Sequence, residues 1–155
     1  MPSGIANARQ KMNNELLRHT ISTILYRFEK SIKGSPSGFG DFSLGKGSRS
    51  PKEIIHHMCD VIHSTRVFME REALPQEQIG QLSYDNEIER FRAELSKVDE
   101  LLTSKTLTIN YAKRLLQGPF SDVLTHIGQL AMLQRIVGNP LDWEDFSSSD
   151  IRTEN

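Results

Sequence analysis

Cysteine is almost missing from this chain: a single residue, Cys59, cannot form an internal disulfide. No basic residue adjoins it to favour a thiolate, so it reads as a small packing residue rather than a ligand or nucleophile. There is no surplus of either charge, with 19 basic against 20 acidic residues and a formal net charge of -1. That balance lacks the basic stripe expected of electrostatic nucleic-acid capture, so no nucleic-acid partner is expected. No apolar run is long enough for a membrane span, and no apolar N-terminal segment of the signal-peptide kind is present. No membrane partner is expected, and the cytoplasm is the expected compartment. Strand alternation of useful length and internal repeats are absent too. What remains is 155 residues, 37% hydrophobic and 25% charged, enough for one globular domain over 1–155 with an adequate core.

The apolar residues recur at helical spacing. Leu17, Ile21, Ile24, Leu25, Phe28 and Ile32 mark a long amphipathic first helix, with the first fifteen or so residues polar enough to fray. Gly34 stops it. The run from Gly34 to Ser50 is rich in Gly and Ser but carries Phe39, Phe42 and Leu44, which a pure linker would not need, so it is expected to be an ordered loop anchored on the helices. Ser50, Pro51 and Glu53 form a capping-box series that starts a second helix, with Ile54, Ile55, Met58, Val61, Ile62, Phe68 and Met69 as its apolar face to about Ala73. Ile88, Phe91, Leu95, Val98 and Leu102 mark a third, with a heavily charged outer face. Asn110 to Gln117 reads as a short helical turn closed by Gly118. Pro119 suits the first turn of a last, mostly buried helix that Gly138, Asn139 and Pro140 end. Leu141, Trp143 and Phe146 are positioned to dock before a flexible tail from about 147. Four long amphipathic helices imply an all-α four-helix bundle, and the long first connection permits a crossover.

Within the last helix, Asp122 and His126 stand at i and i+4, on one side and ~5 to 6 Å apart. At roughly 100° per residue, His56 and His63 fall opposite the apolar arc of the second helix, which predicts that they are solvated. His57 sits at the border of that arc, towards Phe68, and can point inward from the edge. His57, Asp122 and His126 together make a two-histidine, one-carboxylate site for a divalent metal, with open positions for water or substrate. Gln129, one turn beyond His126, is placed to support it. The same residues also allow a purely structural reading: Asp122 and His126 as a hydrogen-bonded pair at a helix start favourable to a carboxylate, and His57 as an ordinary edge histidine.

Two segments tip this balance. SPKEIIHHMCD from Ser50 to Asp60 and THIGQLAMLQRIVGNP from Thr125 to Pro140 resemble the two conserved-type motifs of the DinB-like (YfiT-like) family of metalloenzymes, and the FGDF and GKGSRSP segments of the first loop fit as well. The resemblance implies a four-helix bundle with a long crossover, often dimeric, and a metal held near one end by histidines of the second and last helices. His57 and His126 match ligand positions, whereas Asp122 stands where the family commonly has histidine. The resemblance further implies a metal-dependent transferase or hydrolase working with zinc, nickel, iron or manganese and a low-molecular-weight thiol, in a homodimer for which the first and third helices are candidate surfaces. The competing class is a non-catalytic, dimeric stress-response or interaction module with a degenerate metal site.

Overall fold

A computed structural model describes residues 4–153, apart from the side chains at 9, 10, 12 and 13. It is all-helical, with no strand among the described residues: α1 (Gly4–Ile32), α2 (Pro51–Arg71), α3 (Tyr84–Ser104), α4 (Ile109–Leu115) and α5 (Ser121–Ile136). The four long helices pack in a ring. α1 lies against α5 and α3, and α2 against α3 and α5. Consecutive helices α1 and α2 therefore occupy opposite corners, which obliges the chain between them to cross an end of the ring.

Each long helix contributes a stripe at spacings of three and four to one core: Leu17, Ile21, Ile24 and Phe28 from α1; Ile54, Ile55, Met58 and Ile62 from α2; Ile88, Phe91, Leu95, Val98 and Leu102 from α3; and Val123, Ile127, Leu130 and Leu133 from α5. Phe28 and Phe91 meet edge to face with centroids 4.6 Å apart at its centre. Helix α1 starts earlier than the polar N-terminal composition predicts, at Gly4. Asn14 donates to the carbonyls of Leu102 and Lys105 at the end of α3, tying this stretch to the body.

The crossing segment is anchored as expected by its aromatics. Phe39 is buried and meets Tyr84 edge-on at 5.9 Å, Ser35 Oγ lies 2.9 Å from the Tyr84 hydroxyl, and Phe42 is partly buried against the core. A Cβ on Gly40 would stand 2.6 Å from that of Tyr84, so only glycine permits this approach. Leu44, by contrast, is exposed.

Helix α2 begins at the capping box: Ser50 Oγ accepts from the Glu53 N–H, and Glu53 Oε2 accepts from the Ser50 N–H at 2.7 Å. Two otherwise orphaned donors are satisfied, with Pro51 supplying a preset φ. Ser50→Ala is expected to destabilise the fold by about 1 kcal/mol, measured as a shift of the urea midpoint at unchanged slope; an unchanged midpoint would show that the box does not hold the helix start.

Some sequence expectations give way to packing. Phe68 is 41% exposed, and Val67 takes the buried position beside it. Short helix α4 does not stop at Gly118: Leu116–Phe120 continue the chain as a wide π turn directly into α5, with Pro119 inside it rather than at the head of the helix. At the far end Gly138, at φ 87°, donates to Arg135 O and Asn139 donates to Gln134 O, which closes α5 with a glycine-based cap as predicted. The following chain runs back along α1. Phe146 packs edge-on to Tyr26 with the Arg27 guanidinium over its ring, Lys30 pairs with Glu144, and Thr153 lies by Ser22. The described part of the tail beyond 147 lies along α1, while Trp143 is 89% exposed instead of docked.

Candidate metal site

Neighbours in the ring, α2 and α5 bring His57 and the Asp122–His126 pair together. One ligand atom from each of the three lies within 4.8 Å of the others. His57 Nε2 stands 3.4 Å from Asp122 Oδ2, and the two imidazole rings are 4.7 Å apart at 49°. Three ligands bound at tetrahedral angles to one first-row cation are separated by roughly 3.3 to 3.5 Å, so a small contraction would place all three on one ion.

Local structure supplies the orientation. Asp122 belongs to the first turn of α5, where the helix dipole favours a carboxylate. The π turn before it is held by Ser121, whose hydroxyl donates to Leu116 O at 2.6 Å and whose N–H also turns back to Leu116 O, while Phe120 is fully buried. Wide turns of this kind absorb the proline and recur beside functional residues. His126 Nδ1 lies 2.8 Å from the carbonyl oxygen of Asp122. A carbonyl only accepts, so Nδ1 carries the proton and the lone pair is on Nε2, the arrangement usual in metal-binding histidines. This backbone carbonyl orients the ring in the way proposed for Gln129, which is exposed.

One oxygen of the carboxylate is left without a hydrogen bond, with His57 Nε2 at 3.4 Å and His126 Nδ1 at 3.6 Å. Asp122 Oδ2 is buried and has no hydrogen-bond partner among the described residues, although the side chain as a whole is 40% exposed. Burial, then the positive charge of Arg49, then the neighbouring His126 hold the His57 pKa below its ordinary value of 6.5, against the opposing pull of Asp122. His57 is thus neutral at pH 7. A buried carboxylate oxygen beside a neutral imidazole lacks a cation, and the donor set suits a divalent one. The residues fit the group.

The depressed pKa has a consequence for the metal-free protein. Between the lowered folded value and 6.5 the unfolded chain binds the proton more tightly, so the contribution of His57 is fully present above pH 6.5 and is lost as pH falls below it. Thermal melts from pH 8 to pH 5 are expected to fall more steeply below 6.5 for the wild type than for His57→Gln; parallel curves would contradict this.

The other candidate histidines are not solvated. His56 Nδ1 donates to Glu87 Oε1 at 2.6 Å, and His63 Nδ1 is 3.4 Å from Glu94 Oε1, with both rings only 19% exposed. Glu87 and Glu94 are buried in the broad α2–α3 interface, where Arg66 pairs with Glu94 at 2.6 Å and Arg90 with Asp60 at 2.8 Å. A charged belt occupies what the helical wheel marks as an outer face. Cys59 is a packing residue as expected: it is buried, burial pushes its thiol pKa far up, and its Sγ contacts Glu87 O.

No protein-family model matches the chain, and neither a curated protein nor a solved structure is significantly similar to it. The fold and this cluster therefore carry the functional argument. No helix among the described residues is long and apolar enough to cross a membrane.

Proposed function

We propose that the protein is a divalent-metal-dependent transferase or hydrolase of the DinB-like kind, acting with a low-molecular-weight thiol, in which His57 Nε2, Asp122 Oδ2 and His126 Nε2 hold the ion. The observation that carries this reading is the buried Asp122 oxygen, without a hydrogen bond among the described residues, set between two imidazoles, one with a lowered pKa and the other fixed in the ligating tautomer. The reading is supported by a ring of four helices with a crossing first connection, as the family resemblance implies, and by Ser50 and Pro51 standing at the start of the helix that carries His57.

When bound, zinc, nickel, iron or manganese would acidify a thiol or water in an open position. His57 and Asp122 have side chains 34% and 40% exposed, which keeps that side of the cluster open to a small molecule. His126 lies deeper and fixes the geometry from behind. Three protein ligands, of which one is anionic, leave a bound divalent cation with residual positive charge to stabilise an anionic nucleophile. Homodimerisation and a cytoplasmic setting complete the reading.

Elemental analysis of protein purified without a histidine tag tests it. About one ion per chain is expected in the wild type and none in the His57→Ala, His126→Ala double variant; equal, substoichiometric metal in both would remove the reading.

A further inference from the structure

Among the described residues, the hydrogen bonds, ion pairs and ring contacts that fasten the C-terminal segment 141–153 to the body all fall on α1. Lys30 donates to Glu144 at 3.1 Å, the Arg27 guanidinium stands 3.9 Å over the Phe146 ring, and Thr153 lies 3.5 Å from Ser22. None of these contacts reaches α3. Between the segment and α3 an open cleft of about 1020 Å³ follows α1 from Ser22 to Ile32, roughly 15 Å along the axis. Small-molecule sites enclose roughly 300 to 1,000 Å³, so the space is sufficient for one.

The cleft is apolar at its base and electrically balanced at its rim. Ile21 and Leu95 of the core, the partly buried Leu25 and Ile32 beside them, and Leu141 and Ile151 of the segment line it. Its charged groups are mostly taken: Arg92 pairs with Glu29 at 2.6 Å, Lys30 with Glu144, Asp99 with Arg18 at 2.9 Å and Arg152 with Asp150 at 2.7 Å. Lys33 and Asp142, which stand outside these pairs, are exposed and of opposite sign. An ionic ligand would meet no surplus of opposite charge. An uncharged apolar one would displace only water from the apolar base.

We infer that this cleft is a binding site for an uncharged, predominantly apolar small molecule. It is separate from the metal cluster, since His57, Asp122 and His126 do not line it.

Titration with N-phenyl-1-naphthylamine, an uncharged apolar dye that brightens out of water, tests the inference. Wild-type protein is expected to bind one dye per chain, and to bind the sulfonated analogue 1-anilinonaphthalene-8-sulfonate more weakly. Ser96 is an exposed residue on the α3 wall and Ile151 stands on the opposite one. Ser96→Phe, which fills the space, and Ile151→Asp, which puts a charge on the apolar wall, are each expected to lose dye binding at an unchanged melting temperature, whereas Ser96→Ala keeps it. Failure of the wild type to bind the dye, binding that survives both blocking variants, or equal affinity for the sulfonate would overturn the inference. Sedimentation of the same proteins covers the other occupant: a wild-type dimer that the dye or Ser96→Phe dissociates would make the cleft a contact between copies and overturn it as well.

Discussion

Arg66→Ala is expected to destabilise the protein by about 3 kcal/mol, towards the lower end of what removing one member of a buried ion pair costs. Its guanidinium reaches Glu94 through Nε at 2.6 Å and Glu70 through Nη1 at 2.9 Å, joining α2 to α3 and to its own next turn. Without it, the 6%-exposed Glu94 carboxylate keeps only the largely solvated Lys97 ammonium at 3.3 Å and the edge of His63 at 3.4 Å. The loss comes from the charge left behind more than from the bond removed. Paired substitution with Arg66→Met and Glu94→Leu is therefore expected to restore most of the stability, since apolar groups of similar volume replace both charges. Urea denaturation of the two variants decides it: a double variant as unstable as the single one would place the cost in packing rather than in the stranded carboxylate.

His126→Ala is expected to lower divalent-metal affinity by at least about a hundredfold, because loss of even a partner that orients a ligand costs 10- to 100-fold and this substitution removes a ligand outright. Asp122→Asn is the informative companion. It keeps an oxygen in place but removes the charge, so affinity should fall less than for His126→Ala while the fold persists. Metal-dependent thermal shifts report both, since an ion bound only by the folded state raises stability with its concentration. A wild-type-sized shift in His126→Ala would place the ion elsewhere.

The parts of this structure legible in the sequence are those set by local chemistry. Ser50, Pro51 and Glu53 spell the start of α2 because the capping groups lie within three residues of one another. The stripe from Ile88 to Leu102 follows from period alone. The i, i+4 spacing of Asp122 and His126 likewise guarantees a shared face, and the border position of His57 leaves α5 within reach.

Features that depend on neighbours were hidden. Glu87, Glu94, His56 and His63 lie on a polar arc, yet the breadth of the α2–α3 interface covers them in a belt of paired charges, in which Glu87 Oε2 and Arg90 Nε lack a hydrogen bond among the described residues. The exchange of Phe68 for Val67 has the same origin: a wheel ranks faces without knowing where the next helix lies. Pro119 misleads for another reason, since a proline that ordinarily opens a helix is absorbed within a wide turn by the Ser121 hydroxyl.

Crystals soaked in a zinc salt, with anomalous diffraction recorded on both sides of the zinc absorption edge, give the most direct measurement. A peak is expected roughly 2.0 to 2.2 Å from His57 Nε2, Asp122 Oδ2 and His126 Nε2 together. A fully soaked crystal with no peak among these three side chains, or with its peak elsewhere, would contradict the metal site on which the proposed chemistry stands.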